Sequence, residues 1–504
     1  MGLALLTERY ADQIGGVIHC FDRLIFQGVL PQIGYAKGMT DYFYAHDLLI
    51  KDFTRWAEPL NQMIRERAEQ VAAEAGLEIE YLAKAGTDKE DLVQQILRQR
   101  GDHPGLVAVF SSVERCSTYK PLWSSDGPPR FRGEPGRCLH YYFYLIDAEL
   151  GLCFVRVPTW APFRVEVYCN GHNWLAGQLR RRGIGYQQTD NAFTWIADSA
   201  RAQKIAGTLR SQKLHGILDR LVRTYCPVAH FLKMSFRWTF HQAEYATDIL
   251  FRQPRDLQNL YAPLTRTVVH AVKARDVATF LGKRLRIDSE HEVGNRYEVR
   301  IEGTRVRHCM GPASIKIYDK FGQILRIETT INDVQFFPHY RQVEQRDGRR
   351  VTKWTKMKKS IYRLQALQTV MEAANRRYLE FISALQLPLA GAQLLQRVCS
   401  RMRQGERNYR GLNFFSPEDA ALLEVLARGE FNLQGFRNKT LRQHLPQRSS
   451  GQISRTLKGL RLRGLLKKVG RTYKYYLTNT GKQVIAAGLY LKQLVLIPKL
   501  AEAV

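Results

Sequence analysis

What this chain lacks sets the first limits. No stretch reaches the roughly 18 apolar residues of a membrane span, and the first ten residues lack the basic start and long apolar run of a secretory leader. A location in the cytoplasm, away from membrane, is therefore expected. G-x-x-x-x-G-K-[ST] is missing, as is a G-x-G-x-x-G that opens a helix after a strand, so neither ATP nor a dinucleotide is expected and no nucleotide cofactor is assigned. G-x-S-x-G and H-E-x-x-H are absent too, which removes the common serine-hydrolase and zinc-protease signatures. The eight cysteines are scattered, with no C-x-x-C pair and no zinc-spaced Cys/His cluster, and read as reduced core thiols. No internal repeat and no low-complexity segment is legible. Most consequential is a missing charge: from Phe431 to Ala501 there is no aspartate or glutamate.

That same segment carries fifteen lysines and arginines, while residues 1–430 carry 61 basic against 46 acidic residues. The whole chain of 504 residues has a net charge of +29, far beyond what solubility requires, so a polyanion is the first partner to consider. With 45% hydrophobic and 24% charged residues the composition is that of a globular protein, and the length suits roughly three domains.

The C-terminal region that contains this acid-free segment has its own architecture. Ser416-Pro417-Glu418-Asp419 is a helix start, with a serine cap, proline at the first position and acids at the positive end of the dipole. A short helix from Thr440 to Leu445 ends at Pro446. Ser449 or Ser450 caps a third helix, in which Ile453, Leu457 and Leu460 face inward, while Gln452, Arg455, Lys458 and Gly459 lie opposite and Arg461 follows. Leu465–Val469 and Thr472–Leu477 read as strands joined by Gly470-Arg471, which puts Arg471 at a hairpin tip with Lys474 beyond it. Thr478 to Gly481 then caps a last helix.

This order resembles a winged-helix DNA-binding domain similar to the MarR class of regulators. The resemblance implies a third helix in the major groove and a wing arginine at the minor groove or backbone, with Gln452, Arg455, Lys458, Arg461, Arg471 and Lys474 as nucleic-acid-binding residues. It also allows a homodimer through the C-terminal helix.

The larger N-terminal part alternates strands with helices, which implies a mixed α/β layer. Cys20–Val29 reads as a strand, Ala57–Ala75 as an amphipathic helix, and Thr87–Arg98 as a helix with a Thr87/Glu90 capping box. Leu106–Phe110 reads as a short strand. Ser124–Gly136, dense in proline and glycine, reads as a loop. Leu139–Ile146 and Leu152–Val157 form a hairpin. Phe163–Cys169 alternates before Asn170-Gly171 turns the chain into a helix ending at Arg180, Arg181 and Arg182, a second basic patch.

Ser314–Lys320 and Ile324–Ile331 are two alternating strands joined by Phe321-Gly322-Gln323. In the simple register Lys316, Tyr318, Arg326 and Glu328 share one surface, which is either a salt-bridge ladder or a phosphodiester site. This hairpin resembles the core hairpin of plasmid and phage replication-initiator proteins, which nick one DNA strand, although the histidine-hydrophobe-histidine metal motif of the largest nicking family is absent. The whole chain is similar to a group of bacterial proteins, a resemblance that implies no activity.

Metal-assisted cleavage needs carboxylates that converge on Mg²⁺. Glu302, Asp319 and Glu328 are the nearest by sequence, with Asp319 and Glu328 as metal ligands, Tyr318 or Tyr362 as nucleophile and His308 as proton carrier. A second constellation, Asp22 with Glu114 and Glu166, resembles the acidic cluster of an RNase H-like nuclease. Farther on, the basic stretch Arg341–Lys359, with Tyr340 and Trp354, suits stacking on bases. Leu364–Leu385 reads as a helix with one apolar stripe.

The expected organisation is a mixed α/β multi-domain chain: an α/β region at 1–115, a hairpin-containing region at 116–240, a mixed-sheet region at 241–345, a helical connector at 346–412 and a winged helix at 413–504. The expected function is nucleic-acid binding, with Mg-dependent DNA-strand processing in a mobile element or plasmid, at the bacterial nucleoid. The alternative is a non-enzymatic DNA-binding regulator or the protein partner of a structured RNA. DNA is the first partner and RNA the second.

Overall fold

The computed structural model describes residues 5–84, 86–124, 127–285, 293–300, 303–345, 347–385, 388–470 and 472–501. They form a mixed α/β protein in two compact units, Met1–Gln386 and Leu387–Val504.

The first unit is built on one sheet of eleven strands. In chain order these are β1 (Ile14–Val29), β2 (Ile79–Tyr81), β3 (Gly105–Ser124), β4 (Gly127–Asp147), β5 (Gly151–Pro158), β6 (Val165–Asn170), β9 (Arg237–Phe251), β10 (Val293–Arg300), β11 (Gly303–Met310), β12 (Ala313–Lys320) and β13 (Ile324–Ile331). The hairpin β7 (Tyr186–Thr189) with β8 (Ala192–Ile196) stands apart from it. The regions 1–115, 116–240 and 241–345, expected as separate, are therefore one layer. Of the expected connector, the helix Leu364–Leu385 belongs to this unit: it packs on β9 and β13, and Asn375 bonds to Thr329, Thr247 and the Tyr245 carbonyl.

Across the sheet the order is β10-β11-β12-β13-β9-β1-β6-β5-β4-β3-β2, which is close to a palindrome. Each half starts with a long strand, crosses through helices, and returns as a four-strand antiparallel meander whose last strand pairs with the first. The two first strands, β1 and β9, pair antiparallel at the centre. The sequence does hold an echo of this repeat. Arg164-Val-Glu166 followed four residues on by Asn170 matches Arg326-Ile-Glu328 followed by Asn332, and each glutamate faces a cation on the preceding strand, Arg156 in one half and Lys316 in the other.

The proline-rich segment 124–136 is not a loop. Its residues 127–136 are the start of β4, paired with β3 in a ladder from Ser124↔Gly127 inward, with a bulge near the tip, and 125–126 lie outside the described residues. β5 joins β4 only from His140 onward, so before that point β4 has one neighbour and its prolines need not donate to a second. The helix expected from Thr87 runs from Lys89 to Arg100 and is capped by Asp88, whose side chain accepts from the Glu90 and Asp91 N–H groups.

The second unit has helices Pro417–Leu426, Asn438–His444 and Ser450–Leu462, then the antiparallel pair Leu466–Lys468 and Tyr475–Leu477, then the helix Asn479–Tyr490, the element order expected from the sequence. An additional short helix, Gly429–Gln434, lies between the first two. Leu422, Leu423, Leu441, Ile453, Leu457 and Leu460 share one buried core. Ser449 caps the third helix, with Gln452 closing the capping box, and Thr478 caps the last.

Candidate active site and nucleic-acid interface

Strand pleating decides which side chains meet. Lys316 is opposite Glu328, and Tyr318 opposite Arg326, in the simple register, so these four share one face of the sheet. Their neighbours on β9 are Glu244, opposite Thr330, and Asp248, opposite Arg326. β1 adds Asp22 from a register shift between Phe21 and Leu24, and a bulge of this kind re-aims a side chain beside its neighbours.

A helix supplies the next group. Asn170 ends β6 and caps the helix Gly171–Arg181, accepting from the His172 and Asn173 N–H groups. Gly171 lies so close to β1 that a Cβ there would stand 2.1 Å from the Phe21 carbonyl oxygen. That approach drops His172 between two carboxylates, Nδ1 at 3.1 Å from Asp22 and Nε2 at 2.9 Å from Asp248.

Arg326, fully buried, binds Asp248 in bidentate fashion, through Nε at 2.6 Å and Nη2 at 2.7 Å, and its Nη1 is 3.3 Å from Asp22. Asn170 and Asn191 donate to Asp22 as well. Burial raises a carboxyl pKa, but Arg326 and His172 outweigh it here and hold Asp22 well below the usual range and Asp248 at about 2. Burial and the Arg326 charge disfavour a charged His172, yet the nearby Cys20 sulfur and the Asp22 and Asp248 carboxylates that its ring N–H groups face carry it well above its ordinary value. Asp248, Arg326 and His172 form a charge-paired core that faces Asp22 through Arg326 Nη1 and His172 Nδ1.

Next to that core the balance is different. Asp22, Glu244 and Glu328 each offer a carboxylate oxygen within 4.8 Å of the others. Ligands on opposite sides of an ion bound at about 2.0–2.6 Å stand about 4–5 Å apart, so the trio has the dimensions of a divalent-cation site. Burial and then the Glu328 charge push Glu244 up to about 7. Glu328 is itself held below its ordinary value, because Lys316, 2.6 Å away, outweighs its burial. Tyr318 donates to Glu328 at 2.6 Å, and burial followed by that carboxylate raises its phenol well above the usual value.

Asp22 and Glu244 open into a cleft of about 840 Å³ whose lining carries nine carboxylates against two arginines. In a chain of net +29 this is an inversion of the overall charge.

The expected residues are only partly assembled here. Tyr318 and Glu328 belong to the site. Asp319 does not share it: it is opposite Leu325, on the other face of the sheet, so Asp319 and Glu328 cannot hold one ion. His308 is also on that other face, bonded to Tyr378 and Asn295, and burial lowers it to about 4. Tyr362 is exposed beside His215. Glu302 lies outside the described residues. Of the second constellation, Glu114 and Glu166 are bridged by Arg156 at 3.1 and 3.0 Å, and Asp22 is drawn instead to Glu244 and Glu328.

Sequence reasoning missed Glu244, Asp248 and His172. The available signal was an acid at two positions four apart in the apolar run Glu244-Tyr-Ala-Thr-Asp248-Ile-Leu-Phe, which pleating puts on one face.

In the second unit the third helix exposes Arg455, Lys458 and Arg461. Gly459 is buried under Tyr409, and Arg463, also buried, donates to the carbonyls of Gly459, Ser400, Tyr409 and Arg410, so that side of the helix is covered by residues 400–410. The Gln452 carboxamide accepts from the Ser449 N–H, and the residue serves the cap. Arg471 lies outside the described residues; Lys474 is half-buried over the Tyr476 ring. Among the described basic residues from Arg437 to Lys492, Arg448 alone pairs with a carboxylate, that of Asp419. In the first unit Arg180 pairs with Asp102, Arg181 donates to the Ala148 carbonyl, and Arg182 bonds back to Gln178. All three arginines remain exposed.

No helix among the described residues is long and apolar enough to cross a membrane. Comparisons with protein-family models, with curated proteins and with solved structures return no match.

Proposed function

We propose that this protein cleaves DNA strands with a divalent metal, Mg²⁺ being the natural choice, at the Asp22–Glu244–Glu328 trio, and that the second unit, through its acid-free run from Phe431 to Ala501, holds it on duplex DNA at the nucleoid. The observation that carries the reading is the convergence of three carboxylates at the end of an acidic cleft in an otherwise strongly basic chain. An acidic cleft repels a phosphodiester on its own. A divalent ion held by Asp22, Glu244 and Glu328 would offset that charge and would supply an activated water as nucleophile. Tyr318 is 7% exposed and bonded to Glu328, which suits a positioning residue, so the attacking oxygen is that of water. This departs from the tyrosine chemistry that a replication-initiator resemblance implies, and stays within the strand processing of a plasmid or mobile element.

One observation favours a second reading. Lys316 already lies 2.6 Å from Glu328 and 3.6 Å from Glu244, where it can neutralise the trio without a metal. The protein is then a non-enzymatic DNA-binding regulator, or the partner of a structured RNA.

End-labelled single- and double-stranded DNA incubated with Mg²⁺ or Mn²⁺ separates the two. Cleavage that disappears in Glu244→Gln, with a melting temperature no lower than that of the natural protein, is the expected result. Intact DNA over a range of substrates and metals, with duplex binding retained, overturns the enzymatic reading in favour of the binder.

A further inference from the structure

Residues 338–356 form a hairpin outside the large sheet, β14 (Pro338–Glu344) with β15 (Arg350–Lys356). It is fixed at its base, where the Met357 N–H donates to the Phe337 carbonyl and both side chains are buried. Beyond that base the described side chains of the two strands are at least partly exposed and, apart from Pro338 and the facing pair Val343 and Val351, polar or aromatic. Tyr340 is opposite Trp354, with ring centroids 5.4 Å apart, and the two are 56% and 68% exposed. Trp354 overhangs a recess of about 500 Å³ that Phe336, Lys283 and Lys356 help to line.

The charges on this hairpin are arranged at a cost. Arg341 stands directly opposite Lys353, and like charges in that relation destabilise a ladder. None of Arg341, Arg350, Lys353 and Lys356 has a described carboxylate within ion-pair distance. His339, beside them, is lowered by burial and then by Arg363 and Arg341, as a local positive field requires. Exposed rings flanked by unneutralised cations are the pattern with which proteins hold unpaired bases, by stacking and by phosphate contact. Arginine also stacks on base planes.

We infer that the β14–β15 hairpin binds single-stranded DNA, with bases stacked on Tyr340 and Trp354 and the backbone held by Arg341, Arg350, Lys353 and Lys356. Single-stranded DNA is the occupant because a strand cut within a duplex, paired at first, can fray at the nick, and its frayed end is unpaired DNA to be retained; to that extent the inference rests on the proposed function. Binding to the hairpin itself needs no metal and no cleavage.

The test uses the full-length chain in EDTA, with fluorescein-labelled oligo(dT) of about 20 nucleotides. Tight binding that is weakened about tenfold in Trp354→Ala and more in Trp354→Ala with Tyr340→Ala is expected, as is a smaller salt slope in Lys353→Gln. Duplex affinity should stay within twofold in all three, which reports an intact second unit. Because Trp354 is largely exposed, its loss should not change the melting temperature. Oligo(dT) binding unchanged in the double variant overturns the inference, and so does tighter binding of oligo(U), which would make RNA the occupant. The same measurement in Glu244→Gln distinguishes the two proposals: a failed cleavage reading leaves oligo(dT) binding and its Trp354 dependence intact.

Discussion

Arg326 leads the fully buried side chains in volume, and it is charged. Its two short bonds to Asp248 and its approach to Asp22 satisfy it at a place where an unpaired charge would be very costly. Arg326→Met leaves Asp22 and Asp248 buried without their main counter-charge. Denaturant unfolding should report a loss of about 3–5 kcal/mol, and a loss below about 1 kcal/mol would contradict the assigned network. Glu244 makes the opposite case, a carboxyl destabilised in its charged form. The unfolded chain releases that proton near the ordinary carboxyl value, whereas the folded chain keeps it up to about 7. The folded state thus binds more protons in between, and stability falls as pH rises from about 4.5 to about 7. In metal-free buffer the melting temperature should decline more across that window in the natural protein than in Glu244→Gln; parallel curves would remove Glu244 from the account.

At the scale of elements, the sequence was most legible where local chemistry and tertiary pairing agree. The strands around Phe321-Gly322-Gln323 alternate, turn and pair as their residues demand, and Ser449 and Thr478 cap their helices by side-chain hydrogen bonds, whereas Ser416 stands at its helix start without one. Burial was harder to read. Lys316, Tyr318, Arg326 and Glu328 look like a solvated ladder in one dimension, and only the placement of β9, β1 and the helix Gly171–Arg181 encloses them. The segment 124–136 was misread because proline density usually means a loop, whereas the outer part of a long hairpin tolerates proline wherever one edge is unpaired. Gly171 is the residue on which this enclosure turns. In Gly171→Ala the new Cβ meets the Phe21 carbonyl at 2.1 Å, so β1 and the helix must separate. We expect destabilisation of about 1–3 kcal/mol and a cleavage defect larger than the stability loss explains, read by comparing melting temperature with activity; an unperturbed protein would show that the close approach is unimportant.

For the whole molecule the organising fact is a division of charge. A net +29 is spread over the chain, with the acid-free run in the second unit and the carboxylates concentrated in one cleft of the first. Composition revealed the first half of that division, since a run with one sign removed is visible without a structure. The second half was hidden, because Asp22, Glu244 and Glu328 come from β1, β9 and β13 and meet only when the two halves of the sheet join. The separate roles predict separable losses. Arg455→Ala with Lys458→Ala should weaken duplex binding and lower its salt slope by about 2, one unit for each phosphate contact removed, while leaving metal binding unchanged. A salt slope equal to that of the natural protein would move the duplex contact away from the third helix.

The most direct measurement of the central claim is calorimetric titration of Mn²⁺ into the full-length protein at pH 6 and pH 8. Binding requires Glu244 to give up its proton, so the account predicts one site, proton release at pH 6, tighter binding at pH 8, and loss of that site in Glu244→Gln. No saturable binding at either pH, or a site that survives Glu244→Gln unchanged, would contradict it.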